Sequence, residues 1–221
     1  MTQTTNRFTD RRSAGRALAE AIAPLDIDDP LVLALPRGGV PVAYEVARRL
    51  KAPLDILLVR KIGAPGHEEY GIGALVDGAA PHVVIDEDIA RMVGASPTYI
   101  EHEVERQLKE LERRRAAYRL GSPISPAGRN IILVDDGIAT GGTVKVALHA
   151  LHKAKAARIV LAVPVAPRSA IDALRELCDE VVCLLMPEPF HAVGAHYEDF
   201  GQTSDTEVVE LLKSARAGGG S

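Results

Sequence analysis

Short apolar runs recur along the chain, separated by stretches in which apolar residues return every three or four positions. The runs at 31–35, 54–59, 72–76, 82–85, 130–134, 158–163 and 181–185 predict buried strands. The stretches at about 41–50, 144–155 and 167–178 predict helices between them. An opening helix is expected from about Asp10 to Ala23, with Ala14, Leu18, Ala21 and Ile22 on one face and Pro24 as its stop. Strands joined by helical crossovers imply an α/β fold, a mostly parallel sheet flanked by helices, with ligands at the carboxyl ends of the strands.

Residues 86–120 break the alternation with a helical insertion. Ser96 and Pro97 form an N-cap and first-turn pair, and Ile100, Val104, Leu108 and Leu111 mark one apolar stripe beside the charge-dense run E-R-Q-L-K-E-L-E-R-R-R. Such an arm is expected to pack its stripe on the core and leave the rest in water, with a subunit contact or a cover over a site as the other uses. A further helix is expected at 202–214, and A-G-G-G-S at the end reads as part of a flexible tail, 215–221.

One of the runs ends in chemistry. Residues 131–143 read I-I-L-V-D-D-G-I-A-T-G-G-T: a buried strand, two carboxylates, and a loop that delivers Thr140, Gly141, Gly142 and Thr143 into the start of a helix. Free backbone N–H groups and the positive end of the helix dipole favour phosphate there, and glycine lets main chain approach it. The loop has neither the lysine of a Walker loop nor a G-x-G-x-x-G dinucleotide fingerprint. Adjacent carboxylates ahead of a phosphate cradle can instead accept hydrogen bonds from the vicinal hydroxyls of a sugar, which suggests a ribose 5-phosphate.

The segment resembles the 5-phosphoribosyl 1-pyrophosphate (PRPP) motif of type I phosphoribosyltransferases. The resemblance implies that family's fold over residues 9–201, with a small C-terminal hood at about 186–201. It assigns PRPP binding to Asp135, Asp136, Ala139, Thr140, Gly141, Gly142 and Thr143. Leu31–Leu35 followed by Pro36, Arg37, Gly38 and Gly39 resembles the family's pyrophosphate loop, where Arg37 offers a fork of donors to the leaving group. The run at 54–59 ends in Arg60 and Lys61 and opens into I-G-A-P-G-H-E-E-Y-G, where the family has a mobile loop over the reacting centre. Arg37, Lys61, Asp135 and Asp136 are the implied catalytic set. Mg²⁺ is the implied cofactor, held through PRPP and water near Asp135 and Asp136, with no direct protein ligand assigned. Phe190, with Tyr197, is the implied stacking surface for a base in the hood.

Composition narrows the partners. At 221 residues, 47% hydrophobic and 25% charged, the chain suits one compact domain. A formal net charge of −4 argues against a dominant nucleic-acid surface. No apolar run approaches membrane-spanning length and M-T-Q-T-T-N-R-F lacks the apolar core of a signal peptide, so a cytoplasmic protein is expected, with no membrane partner. Cys178 and Cys183 read as reduced residues.

The function implied is a pentosyltransferase that moves the phosphoribosyl group of PRPP to a nitrogenous base or related acceptor and releases pyrophosphate. A PRPP- or nucleotide-sensing regulator and a phosphoribosyl hydrolase or phosphorylase are the alternatives. Ala139 stands where the 6-oxopurine enzymes of the family place an acid, so hypoxanthine and guanine are disfavoured acceptors. A homodimer is compatible with the resemblance, although the insertion at 86–120 departs from the usual pattern and unsettles any dimer geometry borrowed from it.

Overall fold

The computed structural model describes residues 7–77, 81–118 and 123–218. The reading of the first six residues therefore lies outside the described residues, as do positions 119–120 of the insertion and 219–221 of the tail. Five strands form a parallel sheet: β1 (Pro30–Ala34), β2 (Leu54–Ile56), β6 (Asn130–Val134), β7 (Arg158–Val165) and β8 (Glu180–Leu185), in the order β2-β1-β6-β7-β8. Their side chains alternate between two cores. Val32, Ala34, Ile132, Val134, Val160 and Ala162 face one side, where α1 (Arg11–Ile22), α2 (Gly39–Leu50) and α7 (Asp205–Gly218) cover them. Leu31, Leu33, Ile131, Leu133, Ile159 and Leu161 face the other, under α5 (Gly142–Lys153) and α6 (Arg168–Leu174). Burial on both faces explains why these strands read as unbroken apolar runs.

The order places β1 beside β6 although the chain leaves them in opposite directions, to β2 on one side and to β7 on the other. That is a topological switch point, where an open parallel sheet leaves a crevice at its carboxyl edge. Ala34 pairs with Val134, so the loops after the two strands start side by side.

The remaining strands correct the expectation of one sheet. The run at 54–59 is not one strand: β2 stops at Ile56, and Val59 begins β3 (Val59–Ala64) of a separate antiparallel sheet with β4 (His67–Val76) and β5 (His82–Ile85), in the order β3-β4-β5. Residues 62–71, expected as an irregular loop, are the arms and tip of the β3–β4 hairpin. Its apolar residues hold it there, with Ile62, Ala64 and Ile72 buried in the core. Gly66 takes the left-handed conformation at the tip, φ +72°.

The insertion is α3 (Glu87–Met92) and α4 (Pro97–Ala117), and its stripe packs inward as expected, with Leu111 buried and Ile100, Val104 and Leu108 partly so. Ser96 Oγ accepts from the Tyr99 N–H as N-cap. At the carboxyl end, residues 215–218 continue α7 and are not tail. Helices α2 and α5 start two residues earlier than expected, at Gly39 and Gly142, because the glycine that opens each adds nothing to the apolar periodicity. The helix expected at 167–178 stops at Leu174 and passes into a 3₁₀ turn.

Candidate functional site

Three segments meet at the switch point. The first is the loop after β6. Val134 is buried, Asp135 follows, and its Oδ1 accepts from the Asp136 N–H at 2.9 Å. Desolvation, then the neighbouring Asp136 charge, push the Asp135 carboxyl well above the usual carboxylate range, while the Asp136 N–H works against the shift. Ile138 is tied to β7 through its N–H and the Val165 carbonyl at 2.9 Å. Ala139 and Thr140 emerge exposed. Gly141 then caps α5 at φ +80°, and no side chain caps that helix. The first-turn N–H groups of a helix have no partner within it, and a Cβ on Gly142 would meet nothing within 4 Å, so the helix end is open at that residue.

The second segment is the loop after β1. Gly39 lies against the motif, since a Cβ there would be 2.9 Å from the Val134 carbonyl and 3.0 Å from Asp135 Cα. Gly38 lies under the Asp136 carboxylate. The Pro36–Arg37 peptide is cis. The Arg37 guanidinium, partly exposed, stands 3.6 Å from Asp205 at the start of α7, and Tyr118 at the end of α4 donates to the same Asp205 at 3.1 Å.

The third segment is the hood. Its 3₁₀ turn, Val193–His196, packs on the motif so closely that a Cβ on Gly137 would be 2.4 Å from Val193 Cγ1. Tyr197, expected as a base-stacking residue, is buried, and its hydroxyl donates to the Asp136 carbonyl at 2.5 Å. Burial pushes its phenol far above the ordinary range, so it remains a donor. Tyr197 is thus an anchor of the hood. Phe190 keeps part of its surface accessible and stacks on His196 with ring centroids 5.8 Å apart. Phe8 pairs with the hood through the His196 carbonyl and the Glu198 N–H, so the domain begins before residue 9.

The basic pair after the third run divides. Lys61, on β3, is exposed and lines a groove of about 610 Å³ with Gly142, Thr143, Lys145 and His149 of α5. Arg60 turns the other way, donating to Gln107 of α4 at 2.9 Å, so it braces the arm and does not reach toward the phosphate loop. Alternation of side chains along a strand makes this split unavoidable.

Sequence reasoning missed Arg11. It is the first residue of α1, where Asp10 caps the helix and exchanges hydrogen bonds with Ser13, and no pattern marks it as part of the site. Its Nε donates to Asp136 Oδ2 at 2.7 Å, its Nη1 to the Gly201 carbonyl at 2.6 Å, and its guanidinium lies 3.9 Å over the Phe200 ring. Among the described residues no group of three or more His, Cys, Asp or Glu side chains could hold a metal, and no helix is long and apolar enough to cross a membrane.

Comparison with known proteins decides the family. The phosphoribosyl transferase domain family matches residues 6–199. The chain belongs to the phosphoribosyltransferase family. A Mycobacterium tuberculosis protein, Rv0571c, whose name records an inferred phosphoribosyl transferase, is 44% identical over 209 residues, 94% of this chain and 47% of that protein. The chain thus spans about half the length of the curated relatives it matches. The adenine phosphoribosyltransferase of the same organism is 30% identical over 137 residues, covering 62% of this chain and 47% of that enzyme. Among solved structures, TT1426 from Thermus thermophilus superposes with a TM-score of 0.82 at 45% identity, over 94% of this chain and 98% of that one. A phosphoribosyltransferase-like fold, read from seven apolar runs and one loop, is therefore the fold of the chain.

Proposed function

We propose that the chain binds PRPP at the switch point and transfers its 5-phosphoribosyl group to a nitrogenous base or related acceptor, releasing pyrophosphate. The observation that carries the reading is the uncapped amino end of α5 following, within one loop, two acidic residues that abut the neighbouring loop, Asp136 at Gly38 and Asp135 at Gly39. Thr140–Thr143 hold the 5′-phosphate through backbone N–H groups and hydroxyls. Asp136, with one oxygen turned to Arg11, offers the other to the ribose hydroxyls. Arg37 and the 37–39 backbone receive charge that builds on pyrophosphate as its bond to C1 lengthens. Lys61, in the groove that reaches Thr143, adds a cation from the hairpin.

The donor set does not form a cage for Mg²⁺, because Asp135 is desolvated and Asp136 is shared with Arg11. It suits an ion carried by PRPP, with oxygens of the ligand and water around it and Asp136 within outer reach. Bound in that way, Mg²⁺ would neutralise pyrophosphate charge. Ala139 brings no acid or base to the acceptor, so proton handling falls to the acceptor itself, water or the hood.

The test incubates the protein with PRPP, Mg²⁺ and a panel of bases and follows pyrophosphate together with nucleotide product. Pyrophosphate that appears only with a base supports transfer. Base-independent release marks a hydrolase, and PRPP binding without turnover marks a sensor. The double variant Asp135→Asn, Asp136→Asn should lose PRPP affinity, by roughly 1.5 to 3 kcal/mol for each charge-assisted hydrogen bond removed, and unchanged calorimetric affinity would remove the assignment.

A further inference from the structure

Arg11 makes three contacts on two distant parts of the chain at once: the Asp136 carboxylate of the loop after β6, and the Phe200 ring and Gly201 carbonyl of the hood. Its own position is fixed from behind. α1 lies so close to α2 that a Cβ on Gly15 would be 2.7 Å from the Val42 carbonyl. Between the two helices the buried Glu45 gathers Arg12, Arg16 and Arg48. α2 begins with the 37–39 loop, so the helix that carries Arg11 is packed on the helix that carries the pyrophosphate loop. The Arg11 side chain is itself largely buried, 12% exposed, against 15% for Asp136. A charge-assisted bond between groups so enclosed is short, directional and poorly screened.

The pairing leaves Asp136 with two unlike oxygens. Oδ2 belongs to Arg11, and among the described residues no side chain or backbone N–H donates to Oδ1. Without a cation at that place, the Asp136 carboxylate would meet a polyanionic ligand uncompensated. With it, Asp136 is held over Gly38 in one orientation and its charge is offset by the guanidinium. The same guanidinium seats Phe200, which in turn packs on Tyr197 at 5.0 Å between ring centroids.

We propose that Arg11 is a positioning residue of the phosphoribosyl site, holding one oxygen of Asp136 so that the other faces the sugar, and coupling that carboxylate mechanically to residues 197–201 of the hood. The proposal rests on the reading that PRPP binds here. It assigns a job to the first turn of α1 and makes occupation of the sugar site a signal that reaches the acceptor side through one side chain.

Two measurements on the same preparations separate the parts: calorimetric affinity for PRPP with Mg²⁺, and hydrogen exchange of the 197–201 amides with and without that ligand. Arg11→Gln should lose roughly 10- to 100-fold in PRPP affinity, the effect of one charge-assisted bond, and lose ligand-induced protection of 197–201. Arg11→Lys can still reach Oδ2 with a single ammonium but cannot also span Gly201 and lie flat on Phe200. It should recover most of the affinity and none of the added protection. Phe200→Leu, which leaves the Asp136 pair intact, should behave like the lysine variant and keeps the test open should Arg11→Gln fold poorly. Wild-type affinity in Arg11→Gln, equal loss of affinity in the lysine and glutamine variants, or full protection in Phe200→Leu would each overturn the proposal while leaving PRPP binding by the wild type standing. A wild type that does not bind PRPP would overturn the underlying reading as well.

Discussion

A Cβ placed on Gly38 would lie 2.0 Å from Oδ2 of Asp136. The backbone at Gly38 is right-handed helical, φ −60°, so alanine suits the conformation and the conflict is purely one of space. Each loop is thereby shaped by the other: the 36–39 loop must lack a side chain where the Asp136 carboxylate lies across it. Gly38→Ala should force the carboxylate off Arg11, costing about 1 to 3 kcal/mol of stability as overpacking and about tenfold or more in PRPP affinity. Urea unfolding and calorimetry on one preparation check both, and an alanine variant matching the wild type in each would show that the loops do not constrain one another.

Tyr197→Phe removes a hydroxyl that donates to the Asp136 carbonyl and nothing else. Leaving that carbonyl unpaired inside the loop should cost about 1 to 3 kcal/mol. The loss should appear in thermal unfolding, with the hood amides near 193–197 exchanging faster. Equal melting temperatures would mean that water replaces the phenol at no cost.

Asp77 supplies a pH dependence remote from the site. Desolvation, only partly offset by the Leu58 N–H and by Arg115, pushes its carboxyl up to about 6 from an ordinary 3.8. The folded protein therefore holds this proton more tightly than the unfolded chain, so the associated stability is complete below about 3.8 and is lost as pH rises through about 6. Asp77→Asn has no such proton. The stability of the variant relative to wild type should improve steadily between pH 4 and 6, and a difference that stays flat over that window would contradict a raised carboxyl.

Hypoxanthine and guanine should be poor acceptors. Ala139 is exposed on the loop between Asp136 and the start of α5, and its methyl side chain can neither give nor take a proton. A site built to hydrogen-bond a ring N–H rejects analogues by orders of magnitude, and a site without that partner forfeits the preference. At saturating PRPP, a kcat/KM for hypoxanthine at or above that of every other base tested would show that another residue supplies the proton chemistry.

The parallel sheet was legible because burial on both faces writes each strand as an apolar run, and the β6–α5 junction was legible because an apolar run, a glycine-containing loop and an apolar-periodic stretch follow one another. The hairpin was not. Ile62, Ala64 and Ile72 are spaced among glycines and charges, so the arm residues look like loop until the partner strand supplies the alternation. Arg60 and Lys61 illustrate a second limit, since adjacency in sequence puts neighbouring strand residues on opposite faces. Tyr197 and Arg11 show a third. Their surroundings depend on where α1 and the hood dock, a tertiary fact that no local pattern encodes: Tyr197 is buried against the Asp136 carbonyl, and Arg11 meets Asp136 across 125 positions of sequence.

The β3–β4 hairpin carries a different thermodynamic consequence from the coil expected in its place. Freezing a ten-residue coil would cost on the order of 1 to 2 kcal/mol of backbone entropy per residue, a charge levied every time ligand arrived. In this chain the arms have already surrendered that freedom on folding, through the ladder from Val59–Val76 to Ala64–His67 and the burial of Ile62 and Ile72. Any approach of Lys61 toward the amino end of α5 is then the tilt of a formed object, governed by sliding contacts and not by the ordering of chain. In the proposed reaction, bringing the hairpin over PRPP would therefore displace an object already folded and would not require the ordering of chain.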